Sequence, residues 1–186
     1  PRDFTLFHSR RIGLQGGQPV PISAGGRLTG RAGGFEVGAL NMQTSSTDLL
    51  ESESFTVARV RRTVLGSVDV VGIFTNRQVL NRRRATDVSG REAQNEYNRA
   101  WCVVVNARLL GKLMVHSYLA ETHEPGQSEN NRAARASLAW RDAFWDMSVL
   151  YRSIGEAFNP DVGFVRRRAV RHYYATVGAH PRPPPS

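Results

Sequence analysis

Lysine is nearly absent. Lys112 is the only one, although Lys and Arg together number 25 in 186 residues. Asp and Glu number 16, so the formal net charge is +9. Non-specific phosphate binders usually mix both basic residues and gather them in patches. Here the arginines are spread from Arg2 to Arg182. No nucleic-acid partner is expected, and a high-GC coding bias would favour arginine over lysine without any functional reason. Cysteine is also scarce. Cys102 stands alone, which excludes an intrachain disulfide and a cysteine-based zinc site. Its expected role is that of a small, buried or half-buried apolar residue. The five histidines, His8, His116, His123, His172 and His180, show no ligand spacing. No metal site and no cofactor are expected. Long apolar runs are missing too, which excludes a transmembrane helix. A transmembrane barrel stays open, because its strands are only about 10 residues long and half polar. The sequence begins at Pro1 and ends in "HPRPPPS". It reads as a mature or partial chain, with residues 181–186 as a Pro-rich tail, and no targeting segment gives the compartment.

What is present is strand pattern. Helical periodicity is poor, while segments rich in Val, Leu, Phe, Tyr, Trp and Thr recur between Gly, Asn, Asp and Pro. Four hairpins can be tested by pairing outward from each turn, since antiparallel partners share a face. Around Gly33-Gly34, Arg31 falls opposite Glu36, Thr29 opposite Gly38 and Arg27 opposite Leu40. Phe35, Val37 and Leu28 take the other face. Around Gly66-Ser67, Val60 falls opposite Ile73 and Arg59 opposite Phe74. Arg59 and Arg61 share one face there, and Arg62 lies on the apolar face, diagonal to Asp69. Around Gly111-Lys112, Trp101, Val103, Val105, Ala107 and Leu109 pair with Met114, His116, Tyr118 and Ala120. Asn106, Arg108, Ser117 and Glu121 take the opposite face. Around Ala143-Phe144, weak turn chemistry, Arg141 falls opposite Asp146. Leu138, Trp140, Met147, Val149 and Tyr151 form its apolar face. A ninth strand is expected over 170–179.

Longer polar links run over 45–54, 78–98, 123–132 and 155–168. Alternating tight turns and long loops is the rhythm of an outer-membrane barrel. A soluble sandwich also alternates, but it buries its apolar face under a second sheet. Trp101, Phe35, Trp140 and Trp145 near strand ends suit interfacial girdles and favour the barrel. The expected fold is all-β: an antiparallel up-and-down meander of about nine strands, one partial barrel-type domain over 1–180.

"LFHSRRIGL" (6–14), "VPISAGGRLTGRAGGFEVGALNMQT" (20–44), "FTVARVRRTVLG" (55–66), "GIFTNRQ" (72–78) and "GEAFNPDVGFVRR" (155–167) carry a resemblance. The chain resembles the C-terminal, outer-membrane-type β-barrel domain of a bacterial family whose N-terminal part is a carbohydrate-binding module of the family-nine type. "FNPDVGFVRR" and "LFHSRRIGL" are its most specific stretches. The chain departs from the pattern in having no carbohydrate-binding module and no terminal strand ending in an aromatic residue. The resemblance implies a location in the bacterial outer membrane, lipid as the main partner, and an anchoring or transport role linked to surface carbohydrate.

Hairpin pattern and resemblance together place Arg27, Arg31, Glu36, Arg59, Arg61, Arg108, Glu121, Arg141 and Asp146 toward a polar lumen. Phe35, Trp101, Val103, Val105, Leu138, Trp140, Val149 and Tyr151 are placed toward lipid, where arginine would cost about 2–4 kcal/mol near the midplane. "GGRLTGRAGG" lacks the Gly-Lys-Ser/Thr ending of a phosphate loop. "NRRRAT" (81–86) is a solvated basic loop by default, with anionic glycan or lipopolysaccharide as the minority partner. No nucleophile, base and orienting residue group by spacing. Two other functions stay open: an outer-membrane hydrolase of glycan or lipid at the barrel rim, and a soluble basic β domain binding acidic polymers.

Overall fold

The computed structural model describes residues 3–15, 17–46, 51–80 and 96–181. The basic stretch 81–86 and residues 182–186 of the tail lie outside the described residues. Short ladders come first: β1 (Phe4–Thr5), a 3₁₀ turn (Ser9–Arg11), β2 (Leu14–Gln15) and β3 (Gln18–Pro19). Eight long strands follow: β4 (Ile22–Ala32), β5 (Phe35–Thr44), β6 (Glu53–Val64), β7 (Val68–Val79), β8 (Tyr97–Leu109), β9 (Leu113–His123), β10 (Arg132–Arg141) and β11 (Trp145–Ile154). The two-residue β12 (Phe164–Val165) and the long β13 (Val170–Ala179) complete the elements of the described residues.

The nine long strands form one antiparallel sheet in the order β13-β11-β10-β9-β8-β7-β6-β5-β4. It is an up-and-down meander, as the hairpin pattern predicts, and it is not closed. No α-helix occurs among the described residues. Period-two alternation gives the sheet two unlike faces. One is apolar and uncovered: Leu28 is 70% exposed, Val103 41%, Val149 50% and Val177 74%. Leu138 and Tyr151 are exposed there as well, and no second sheet packs on this face among the described residues. The dry core between two sheets that a soluble sandwich would need is not seen among the described residues.

The core lies on the polar face, at the long-loop end. Leu6, Ala100, Cys102, Ala120, Ala133, Ile154 and Phe158 pack together, with Phe4, Ile73, Val104, Tyr118 and Val165 against them. Two segments supply the cover. β1 pairs with β12 through Phe4–Val165 and Thr5–Phe164, and the His8 amide donates to the Val162 carbonyl at 2.8 Å. Gly163 is needed at this crossing, because a Cβ there would overlap the carbonyls of Thr5 and Leu6. Small residues on the sheet, Ala100, Ala120 and Ala133, leave the room that Phe158 fills.

Two hairpins have the expected register and two do not. Arg31 faces Glu36 around Gly33-Gly34, and Arg141 faces Asp146. The second loop, however, is Leu65-Gly66-Ser67, with Val64 opposite Val68. The third is Leu110-Gly111-Lys112, with Leu109 opposite Leu113. Both registers are one residue away from the sequence expectation. The cause is leucine at positive φ, 51° at Leu65 and 53° at Leu110, followed by glycine at 69° and 67°. A left-handed turn therefore starts one residue earlier than glycine alone would suggest. Its extra residue stays in the ladder: the carbonyls of Ser67 and Lys112 accept from the amides of Arg108 and Arg141.

The slip changes faces on the following strand. Phe74 lies opposite Ala58 and Trp101 on the apolar face, not opposite Arg59. Arg59 faces Ile73 instead. Asp69 faces Thr63 and Asn106, on the face of Arg61 rather than of Arg62. Met114, His116, Tyr118 and Ala120 share the face of Asn106 and Arg108. Glu121 and Ser117 lie with Trp101 and Val105.

Candidate functional site

The tight-turn end of the polar face carries a ladder of charge. Arg31 pairs with Glu36 at 2.9 Å, and Glu36 is 3.6 Å from Arg61. Arg61 reaches Asp69 at 2.9 Å across the next strand, and Thr63 donates to the same carboxylate. Two arginines and two carboxylates alternate across four strands and leave no local excess. Arg141 and Asp146 pair at 3.5 Å on the same face, toward the β13 edge of the sheet.

Deeper on the same face sits an arrangement with a different charge balance. The Asp3 side chain is 5% exposed. It accepts from the Tyr118 hydroxyl at 2.9 Å, from Arg135 at 3.4 Å and from Arg152. Burial pushes the Asp3 carboxyl up, but the hydrogen bonds from Arg152 and Tyr118 and the two guanidinium charges outweigh it. Its pKa is held below the ordinary carboxylate value. One carboxylate thus faces two guanidiniums. Arg59 is exposed and has no ion pair among the described residues.

A cavity of about 480 Å³ lies between the N-terminal segment and the sheet. Phe4, Leu6, Phe7, Val57, Val71, Ile73, Cys102 and Val104 give it apolar walls, and Asp3, Arg59, His116, Tyr118 and Arg135 supply its polar groups. A wider depression beside it, of about 860 Å³, reaches Arg27, Arg31 and Glu36 and shares Phe7, Val57 and Arg59.

A third group fixes the loop that carries β12. Arg77 bridges Glu53 at 2.6 Å and Asp161 at 3.1 Å. Asn98, fully buried, donates to the Asn159 carbonyl and to Glu124, and accepts from the Asp161 amide. Burial raises the pKa of Asp161 against the pull of Arg77. "NPDVG" is a turn, closed by the Gly163 amide on the Pro160 carbonyl at 2.9 Å, and its side chains dock the loop on the sheet.

One row across the sheet has a further property. Asn106, His116 and Ser137 lie directly opposite one another on β8, β9 and β10. His116 Nδ1 is hydrogen-bonded to Asn106 Oδ1. The Ser137 hydroxyl has no hydrogen-bond partner among the described residues.

Comparison with family models, with curated proteins and with solved structures finds no match in any of the three. The reading of the site therefore rests on geometry.

Of the polar residues expected to share a face, Arg27, Arg31, Glu36, Arg59, Arg61, Arg108, Arg141 and Asp146 do so. Glu121 does not. It lies opposite Trp101 and Arg132 at the rim of the apolar face, 3.2 Å from Arg132 and 3.5 Å from His123. The register slip at Leu110 moves it. Phe35, Trp101, Val103, Val105, Leu138, Trp140, Val149 and Tyr151 share the apolar face as expected. Arg62 joins them through its guanidinium, 4.6 Å from the centre of the Phe35 ring. Asp3, Arg135 and Arg152 were not among the expected site residues. Period two from Arg141 would have placed Arg135 on the polar face. Nothing local points to Asp3, whose partners lie 115 to 149 residues away.

Proposed function

We propose that the chain forms part of the wall of an outer-membrane β-barrel, with an anchoring or transport role linked to surface carbohydrate. The uncovered apolar face carries this reading. On β8 the outward positions Trp101, Val103, Val105, Ala107 and Leu109 make one apolar run. At ~3.4 Å per residue this run is ~27 Å along the strand, and ~21 Å across the bilayer at a ~40° tilt. That is close to the apolar band of ~25 Å in such barrels. Polar side chains end the run: Asn41, Thr56, Asn76 and Arg99 follow one another across β5 to β8. Aromatic rings border it at both ends, Phe74, Trp101, Tyr151 and Tyr173 on the long-loop side and Phe35, Trp140 and Trp145 near the turns. Such a large apolar surface is not left in water by a soluble monomer. The carbohydrate link rests on the resemblance of "LFHSRRIGL" and "FNPDVGFVRR" alone.

The polypeptide carrying this chain should fractionate with the outer membrane, stay there through high salt and alkaline carbonate, and leave only with detergent. Release by salt would reject the reading.

The row Asn106–His116–Ser137 favours one second reading, a hydrolase. With Asn106 Oδ1 accepting from Nδ1, His116 Nε2 is left as a base beside a serine on the next strand. In this reading Nε2 takes the Ser137 proton as Oγ attacks an ester carbonyl, and returns it to the leaving alkoxide. A fluorophosphonate probe should then label the chain, and Ser137→Ala should abolish labelling. An unlabelled wild type removes the hydrolase reading.

A further inference from the structure

We infer that the cavity between the N-terminal segment and the sheet is a binding site for a small amphiphilic anion: a carboxylate, sulfonate or phosphate on an aliphatic or aromatic body. The inference stands whether or not the outer face meets lipid.

Charge is the first argument. The ladder at the tight-turn end is neutral within itself, with Arg31 and Arg61 against Glu36 and Asp69. The cavity region is not. Arg135 and Arg152 share the single carboxylate of Asp3. Arg59 lines the cavity with no ion pair among the described residues. Two guanidiniums of the cavity wall, Arg59 and Arg135, and a third that holds Asp3 without lining the cavity, Arg152, stand against one carboxylate. An excess of this size within a partly desolvated space favours an anionic guest.

Unmade hydrogen bonds are the second argument. The Nε atoms of Arg135 and Arg152 are buried and have no partner among the described residues. A buried N–H on a charged group without an acceptor is costly, more so than a neutral one. Arg135 is itself part of the cavity wall. That N–H is covered, so a ligand oxygen meets it only when the Arg135 guanidinium turns toward the cavity.

Shape is the third. The volume of about 480 Å³ falls within the ~300–1,000 Å³ of small-molecule sites. Phe4, Phe7, Val57, Val71 and Ile73 offer an apolar bed, so the guest needs a body that leaves water as well as a charged head. A bare inorganic anion would leave that bed unfilled.

The test uses 4-phenylbutyrate and its uncharged analogue 4-phenylbutanol, titrated calorimetrically into the chain held in a neutral maltoside detergent. The acid should bind at least tenfold more tightly than the alcohol. Arg59→Gln should remove most of that preference and leave the alcohol unchanged. Val71→Trp, which puts an indole into the cavity, should weaken both at least tenfold. Equal binding of acid and alcohol overturns the inference, as does no binding of either. Unchanged acid affinity in Arg59→Gln, or unchanged affinities in Val71→Trp, would place the ligand elsewhere and overturn it too.

Discussion

Asp3 is the residue on which the interior arrangement turns. Its carboxylate joins the N-terminal segment to β9, β10 and β11 at once, through Tyr118, Arg135 and Arg152. Asp3→Asn would leave two half-buried guanidiniums without their shared anion. The expected cost is about 2 kcal/mol, localised to the docking of residues 3–8. Hydrogen exchange should show faster exchange at these residues, with β8 and β9 unchanged. The pH dependence has a definite sign. Asp3 has a lowered pKa in the fold, so its stabilisation is full above the unfolded value of ~3.9 and is lost as pH falls through the lower folded value. Asp161 has a raised one, so its contribution is full below ~3.9 and is lost as pH rises through the higher folded value. Acid therefore loosens the Asp3 end and not the Asp161 loop. Pepsin in an acid titration should cut near Phe4–Phe7 before it cuts within 155–163. Simultaneous cutting would contradict the assignment. Arg141–Asp146, on the exposed part of the same face, should contribute only about 0.2–1 kcal/mol.

The hairpin is the scale at which sequence and structure diverge most usefully. Gly33-Gly34 gives the register of β4 and β5 directly, because either glycine accepts positive φ without strain. The β10–β11 register is also legible, although Ala143-Phe144 is weak turn chemistry. Asp142 supplies what that pair lacks: its carboxylate accepts from the amides of Phe144 and Trp145 and from the Trp140 indole. The Trp145 and Phe144 amides, then that indole, pull its pKa down to about 2. Leu65 and Leu110 are not legible. Leucine seldom takes a left-handed conformation, and the preference against it is ~1–2 kcal/mol. That strain gives a prediction. Leu65→Asn or Leu110→Asn should stabilise the chain by about 1 kcal/mol, seen as a higher midpoint in urea unfolding. A lower midpoint would mean that these leucines, both almost fully exposed at the turn tips, have a partner beyond this chain. Gly163→Ala should act in the opposite direction and displace β1, by the overlap with Thr5 and Leu6.

At the scale of the whole molecule, the existence of two unlike faces was readable because period two depends only on parity within each strand. The way β7 and β9 turn was not, because it is decided by the left-handed leucines Leu65 and Leu110 in the loops before them. The N-terminal cover was not readable. It joins residues more than 100 positions apart, and its segments, Phe4–Thr5 and Phe164–Val165, are too short to carry a pattern. The apolar face yields the sharpest global test. Val103 lies mid-strand on it. In water, Val103→Arg would be nearly neutral, because the site is already exposed. In lipid it should cost about 2–4 kcal/mol if it sits near the midplane. Unfolding in vesicles separates the two outcomes.

Nine is an odd number, and in a meander every strand reverses the one before it. The first and last long strands, β4 and β13, therefore run in the same direction. They cannot meet one another in an antiparallel ladder. Two copies laid side by side in the same orientation would face the same obstacle at each seam, and would need a parallel ladder there. A wall closed by antiparallel ladders throughout must recruit an odd number of strands from outside this sheet. If the sheet is the barrel wall proposed above, a lipid belt would set their length at about ten residues, and their inward positions would have to be polar as well.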